Sequence, residues 1–169
     1  REEELGAILR LLDAPEQLSG VAVLPGEAGI GKTTLWLAGI DAAAARGYRI
    51  LSARPSGAET QFAFGGLTDL LRNVAGDVLT ELPPIQRRAL EAALLLGELQ
   101  IHADERAVAA AFLEALRTLA RDSPLCLAVD DVQWLDAASQ AALDYALARL
   151  DRAPVAGLGT GPAQRQGFA

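Results

Sequence analysis

Residues Gly26–Thr33 read GEAGIGKT, and they contain the only lysine of the chain, Lys32. This is the full G-x-x-x-x-G-K-[ST] spacing, and each residue type in it answers a need of phosphate chemistry. Triphosphate oxygens need several donors close together. The backbone N–H groups of a loop running through Glu27, Ala28, Gly29, Ile30 and Gly31 supply them when the loop curls around the anion. Gly26, Gly29 and Gly31 allow the tight path and leave no Cβ in the way. A helix starting near Lys32 aims its N-terminal N–H groups and positive dipole end at the same place. Lys32 adds a compact, mobile ammonium for the β- and γ-phosphates, where the wide arginine fork is a poor substitute. The Thr33 hydroxyl is a hard oxygen ligand suited to Mg²⁺. Thr34 serves either the α-phosphate or the helix N-terminus alone.

A second constellation lies about a hundred residues on, in LCLAVDD, where Asp130 and Asp131 end an apolar run. Ligands of α/β sheets bind at the C-terminal ends of the strands. Asp130 is placed there to hold Mg²⁺, directly or through water, and Asp131 to polarise the attacking water. Asp131 is one methylene shorter than the glutamate common at such a position, so slow turnover is expected. Gln133, Trp134 and Asp136 follow. Trp134 is read as packing in preference to substrate stacking, and Asp136 as a helix cap with Ser139 at the third helical position. With a single lysine the chain cannot contain an Asn-Lys-x-Asp guanine-reading segment, which favours ATP over GTP.

These residues need a scaffold, and the hydrophobic pattern provides one. Leu5, Ile8, Leu9 and Leu12 have helical spacing, closed by Pro15. Val21–Leu24 form a short apolar strand of the kind covered on both faces in a parallel sheet. A helix is predicted over Thr33–Ala45, stopped by Gly47, and a strand over Tyr48–Ala53. Leu67, Leu70, Leu71 and Val74 mark another helix. Further helices are predicted over Ile85–Leu96 and Asp104–Arg121, the latter burying Val108, Phe112, Ala115 and Leu119. Pro124 introduces the LCLAV strand, a helix follows from Asp136 to about Leu150, and VAGLGT forms a weaker last strand. The order implies a three-layer α/β P-loop NTPase with a mainly parallel sheet. The second acid places it in the branch with an additional strand between the two motif strands. Residues 1–160 make up the ATPase domain and 161–169 an irregular tail. Both ends read as cuts through something longer.

The chain has 169 residues and is 51% hydrophobic, enough for a sizeable core. Its formal net charge of −7 excludes gripping DNA or an anionic membrane by bulk electrostatics. The single cysteine, Cys126, lies in an apolar run and cannot form a disulfide within the chain, which fits a reduced cytoplasmic setting. No signal-peptide pattern and no apolar run of membrane-spanning length is present. His102 is read as a loop residue. Arg54, just after the second strand, faces either phosphate or solvent.

Four segments in fixed order, GEAGIGKTTL, FAFGGLTDLLRNV, LPPIQRRALEAAL and LAVDDVQWLDAAS, resemble the N-terminal ATPase domain of large ATP-binding LuxR-type transcriptional regulators. These belong to the STAND class of signal-transduction ATPases, akin to AAA+ proteins. The opening REEELGAIL is similar to the family's first helix. The resemblance implies a switch in which ATP and an inducer favour an active, self-associating form. It implies DNA contact through a helix-turn-helix domain outside this chain, with no direct nucleic-acid or membrane contact by this segment. By position, Gly26, Gly29, Gly31, Lys32 and Thr33 match the phosphate loop, and Asp130 and Asp131 the acidic strand end. The chain departs from the family where the last strand normally ends in a polar sensor residue followed by arginine. Here Thr160 matches only loosely, and Gly161 stands in the basic position. A stand-alone AAA-type ATPase or a small P-loop kinase is the alternative.

Overall fold

The computed structural model describes residues 2–13, 20–26, 31–58, 60–95, 103–150 and 153–162. Helix α1 (Glu2–Leu12) precedes strand β1 (Gly20–Pro25), helix α2 (Lys32–Ala45) and strand β2 (Arg49–Ala53). A helical portion follows: α3 (Gly65–Leu71), α4 (Ala75–Glu81), α5 (Pro84–Ala93) and α6 (Glu105–Leu119). Strand β3 (Leu125–Val129), a 3₁₀ turn (Val132–Trp134), helix α7 (Ala137–Leu147) and strand β4 (Val155–Gly161) complete the order.

The four strands form one parallel sheet in the order β1-β4-β3-β2. Strand β4, last in sequence, lies between β1 and β3, so the additional strand separates the glycine-rich loop from the acidic pair. Leu24 is in register with Thr160, and Val129 with both Ala53 and Gly159. The loop and the acids therefore meet along one end of the sheet.

Strand β3 is buried at all five positions, and its side chains alternate between two cores. Leu125, Leu127 and Val129 join a core built with α3 to α7, whereas Cys126 and Ala128 join one built with α1 and α2. This two-sided covering explains why a continuous apolar run, without polar alternation, encodes the strand. Strand β4 is likewise buried throughout, although VAGLGT carries few large side chains. Its glycines let neighbours approach: a Cβ on Gly157 would meet Val21 Cγ2 at 3.1 Å.

The sequence reading differs from the structure in three places. Gly161, read as the start of an irregular tail, is instead the last residue of β4, buried and paired with the start of the loop. The helical spacing through Val74 belongs to two short helices, because Val74 caps α4 and does not continue α3. Helix α5 begins at Pro84 and ends at Ala93. Pro84 fits this first position because the N–H it lacks would have had no partner there. His102 and Leu96 lie outside the described residues.

Cys126 is fully buried, and loss of hydration pushes its thiol up to about 12. The thiol is therefore neutral and shielded. A thiol-disulfide reagent at pH 8 is expected to leave it unmodified in the folded chain and to titrate it on addition of urea. The raised value stabilises the fold fully below the ordinary thiol value of 9.0 and loses that contribution as pH climbs toward 12. Among the described residues no helix is long and apolar enough to cross a membrane.

Candidate functional site

Gly26 follows β1 directly, and its N–H donates to the Gly161 carbonyl at 3.1 Å, which ties the start of the loop to the end of β4. At the far end of the loop, Gly31 caps α2 with φ 80°. That left-handed conformation costs most side-chain-bearing residues about 1–2 kcal/mol, so the position favours glycine. The first turn of α2 then presents Lys32, Thr33 and Thr34. The Lys32 ammonium donates to the Gly26 carbonyl at 2.7 Å, spanning the mouth of the loop. Glu27, Ala28, Gly29 and Ile30 lie outside the described residues.

Across the sheet end, the Thr33 hydroxyl donates to Asp130 Oδ2 at 3.2 Å, although the two residues are 97 positions apart in sequence. Asp130 is buried, and its N–H donates to the Ala53 carbonyl at 3.0 Å, which continues the β2–β3 ladder by one residue. Its second oxygen, Oδ1, accepts from the Thr160 hydroxyl at 2.7 Å. Thr160 in turn accepts from the Asp131 N–H at 2.7 Å. One fully buried hydroxyl on β4 thus bridges the two acids. The loose sequence match at Thr160 is, in space, a residue joined to both.

Asp131 adopts φ 56°, ψ 60°, left-handed backbone that aspartate tolerates better than most side chains. The conformation turns the chain sharply off β3 into the 3₁₀ turn, where the Trp134 N–H donates to the Asp131 carbonyl at 2.9 Å. The Asp131 carboxylate accepts from the Gln133 amide at 3.0 Å. Three partners therefore hold Asp131, Thr160 and Trp134 on its backbone and Gln133 on its side chain. Asp and Gln two apart offered no periodic signal for this pairing; it depends on the tight turn between them.

Thr33 and Asp130 suit Mg²⁺ by their chemistry, two hard oxygen donors on separate elements that face each other. The set leaves other coordination positions to water and phosphate, as Mg²⁺ prefers.

The sequence left Arg54 facing either phosphate or solvent; the structure sets it against Asp130. Its guanidinium is 3.3 Å from Asp130 Oδ2, and it lies over the Trp36 ring at 5.8 Å from the centroid. Trp134 is only partly a packing residue. Its ring covers Gly57, where a Cβ would meet it at 3.3 Å, yet 45% of the residue is exposed. It borders a pocket of about 300 Å³ shared with Pro55, Phe62, Gly66 and Leu95. Asp136 caps α7 as expected, accepting from the Ser139 N–H at 2.9 Å. It also accepts from the N–H groups of Phe64 and Gly66, at 2.8 and 3.1 Å, so one carboxylate closes the N-termini of α3 and α7 together.

A family model described as an AAA ATPase domain matches residues 1–158, which takes in β1 to β3, the start of β4 and both motifs. No curated protein matches the chain. With 158 of its 169 residues covered, a parallel sheet that carries its extra strand between the two motifs, and a threonine from the loop against a buried aspartate, the chain belongs to the AAA ATPase domain family.

Proposed function

We propose that this domain binds ATP with Mg²⁺, hydrolyses it slowly, and serves as the nucleotide switch of a LuxR-type transcriptional regulator of the STAND class. The observation that carries the nucleotide reading is the approach of Thr33 to Asp130 at 3.2 Å beside the helix-capping glycine Gly31. In this reading the N–H groups from Glu27 to Thr34 cradle the phosphates and Lys32 leaves the Gly26 carbonyl for the β- and γ-oxygens. Thr33 and Asp130 hold the metal, which when bound neutralises charge on the β- and γ-oxygens. Asp131 orients and polarises the attacking water, its carboxylate aimed by Gln133 and its backbone by Thr160.

The regulatory part of the proposal rests on the LuxR-type resemblance of the FAFGGLTDLLRNV, LPPIQRRALEAAL and LAVDDVQWLD segments. Under it, the ATPase unit is residues 1–160, the setting is cytoplasmic, active chains self-associate, and DNA is contacted by another domain. A self-standing AAA-type ATPase is the second reading, favoured by Thr160: its bond to both acids is the kind of link that couples phosphate state to the acidic pair.

Asp131→Asn separates binding from hydrolysis. The amide keeps the size of the side chain but loses the charge that polarises water. Mg·ATP affinity by calorimetry is expected to change less than about threefold, while phosphate release falls on the order of 100-fold. The wild-type domain is expected to prefer ATP to GTP and to turn over well below once per second, on the order of the slow P-loop switches. Unchanged phosphate release in Asp131→Asn would remove the residue from the mechanism.

A further inference from the structure

The acidic site contains a cation that the phosphate-loop motif does not account for. Arg54 follows β2, the strand farthest from the loop, and yet its guanidinium contacts Asp130 Oδ2 at 3.3 Å. Thr33 donates to the same oxygen at 3.2 Å, while Oδ1 is taken by Thr160. Oδ2 is therefore the oxygen that faces the loop, and Arg54 shares it with the threonine of the metal pair. Asp130 has 5% of its side chain exposed and Arg54 has 64%. The carboxylate is enclosed by the fold, whereas the guanidinium stands largely in solvent.

Trp36 supplies a platform for that guanidinium. It stands one helical turn beyond Lys32 and Thr33 on α2, is 2% exposed, and lies under the guanidinium at 5.8 Å. Attraction to the ring face keeps the head of Arg54 beside the start of α2 without engaging all its N–H donors.

We propose that Arg54 is the residue by which this domain distinguishes ATP from ADP. The inference rests on the nucleotide reading above. Asp130 Oδ2 would be the oxygen offered to Mg²⁺, and a cation held there would displace the Arg54 guanidinium by like-charge repulsion, leaving its donors to pair with the terminal phosphate of ATP. A planar guanidinium meets a phosphate through two parallel N–H···O bonds, an arrangement that neither ADP nor a lysine at this position reproduces fully. Arg54 thus covers the metal-ligand carboxylate in one state and the γ-phosphate in the other, from within the same chain.

The test is calorimetric binding of Mg·ATP and Mg·ADP to the wild type, Arg54→Met and Arg54→Lys, with thermal unfolding as a check on the fold. Methionine keeps the apolar stem over Trp36 and removes the charge. Arg54→Met is expected to lose roughly tenfold or more in ATP affinity while ADP affinity stays within about threefold or improves, because Asp130 is relieved of its competitor. Arg54→Lys is expected to fall between, since it restores the charge without the fork. An equal loss for both nucleotides, or no loss for either, overturns the assignment while leaving the nucleotide site intact. A wild-type chain that binds neither nucleotide overturns the nucleotide reading itself, and this inference with it.

Discussion

Lys32→Ala is expected to weaken Mg·ATP binding on the order of 100-fold, about 3 kcal/mol, with the fold preserved. The ammonium is the strongest mobile positive charge the loop can place on the β- and γ-oxygens. Two charge-assisted hydrogen bonds to phosphate, each contributing about 1.5–3 kcal/mol, account for the loss. Backbone N–H groups and the α2 dipole remain in the alanine variant and keep residual affinity. Without nucleotide, the side chain bridges the loop mouth, with a 2.7 Å bond to the Gly26 carbonyl. Stability should therefore change by less than about 1 kcal/mol, as for most partly exposed single hydrogen bonds. Calorimetry and thermal unfolding measure the two effects separately. Equal ATP affinity in the two proteins would dismiss the phosphate-loop assignment.

Asp136→Ala is expected to cost about 3–5 kcal/mol of stability, the largest single-residue loss foreseen outside the apolar core. Asp136 is 4% exposed and accepts from three backbone N–H groups, those of Phe64, Gly66 and Ser139. Alanine leaves all three donors buried without a partner. It also removes the negative charge on which the positive ends of α3 and α7 converge. Ser139 adds a parallel link, its hydroxyl accepting from the Leu67 N–H at 3.0 Å. Close approach at this junction depends on Gly66, where a Cβ would come within 2.4 Å of Leu135 Cδ2 and 3.1 Å of Ser139 Cβ. Asparagine at 136 should cost roughly half as much, because one oxygen still accepts while its NH₂ faces a donor. Urea unfolding gives the measurement. A shift of less than about 1 kcal/mol would mean that Asp136 is an ordinary exposed cap.

The sheet strands were legible to within one or two residues because each has a local cause. LCLAV lacks polar alternation because both faces are covered, and Gly47 ends α2 with φ 82°. Helix α6 starts within a residue of the predicted Asp104, which caps it by accepting from the Ala107 N–H at 2.8 Å. The break at Val74 was not legible, since residues 67–74 keep helical spacing through it. Spacing records which side chains share a face; it does not record where the backbone changes direction.

By itself the sequence located the glycine-rich loop, the acidic pair and the strand–helix units that carry them, because each is written in residue types at fixed local spacing. The tertiary structure decided which distant residues complete the site. Thr160 bridging Asp130 and Asp131, Arg54 on Asp130 Oδ2, and Asp136 joining α3 to α7 each link residues between 29 and 76 positions apart. Such links exist only because the order β1-β4-β3-β2 brings the ends of β2, β3 and β4 side by side, and nothing in the local spacing of these residues encodes that order.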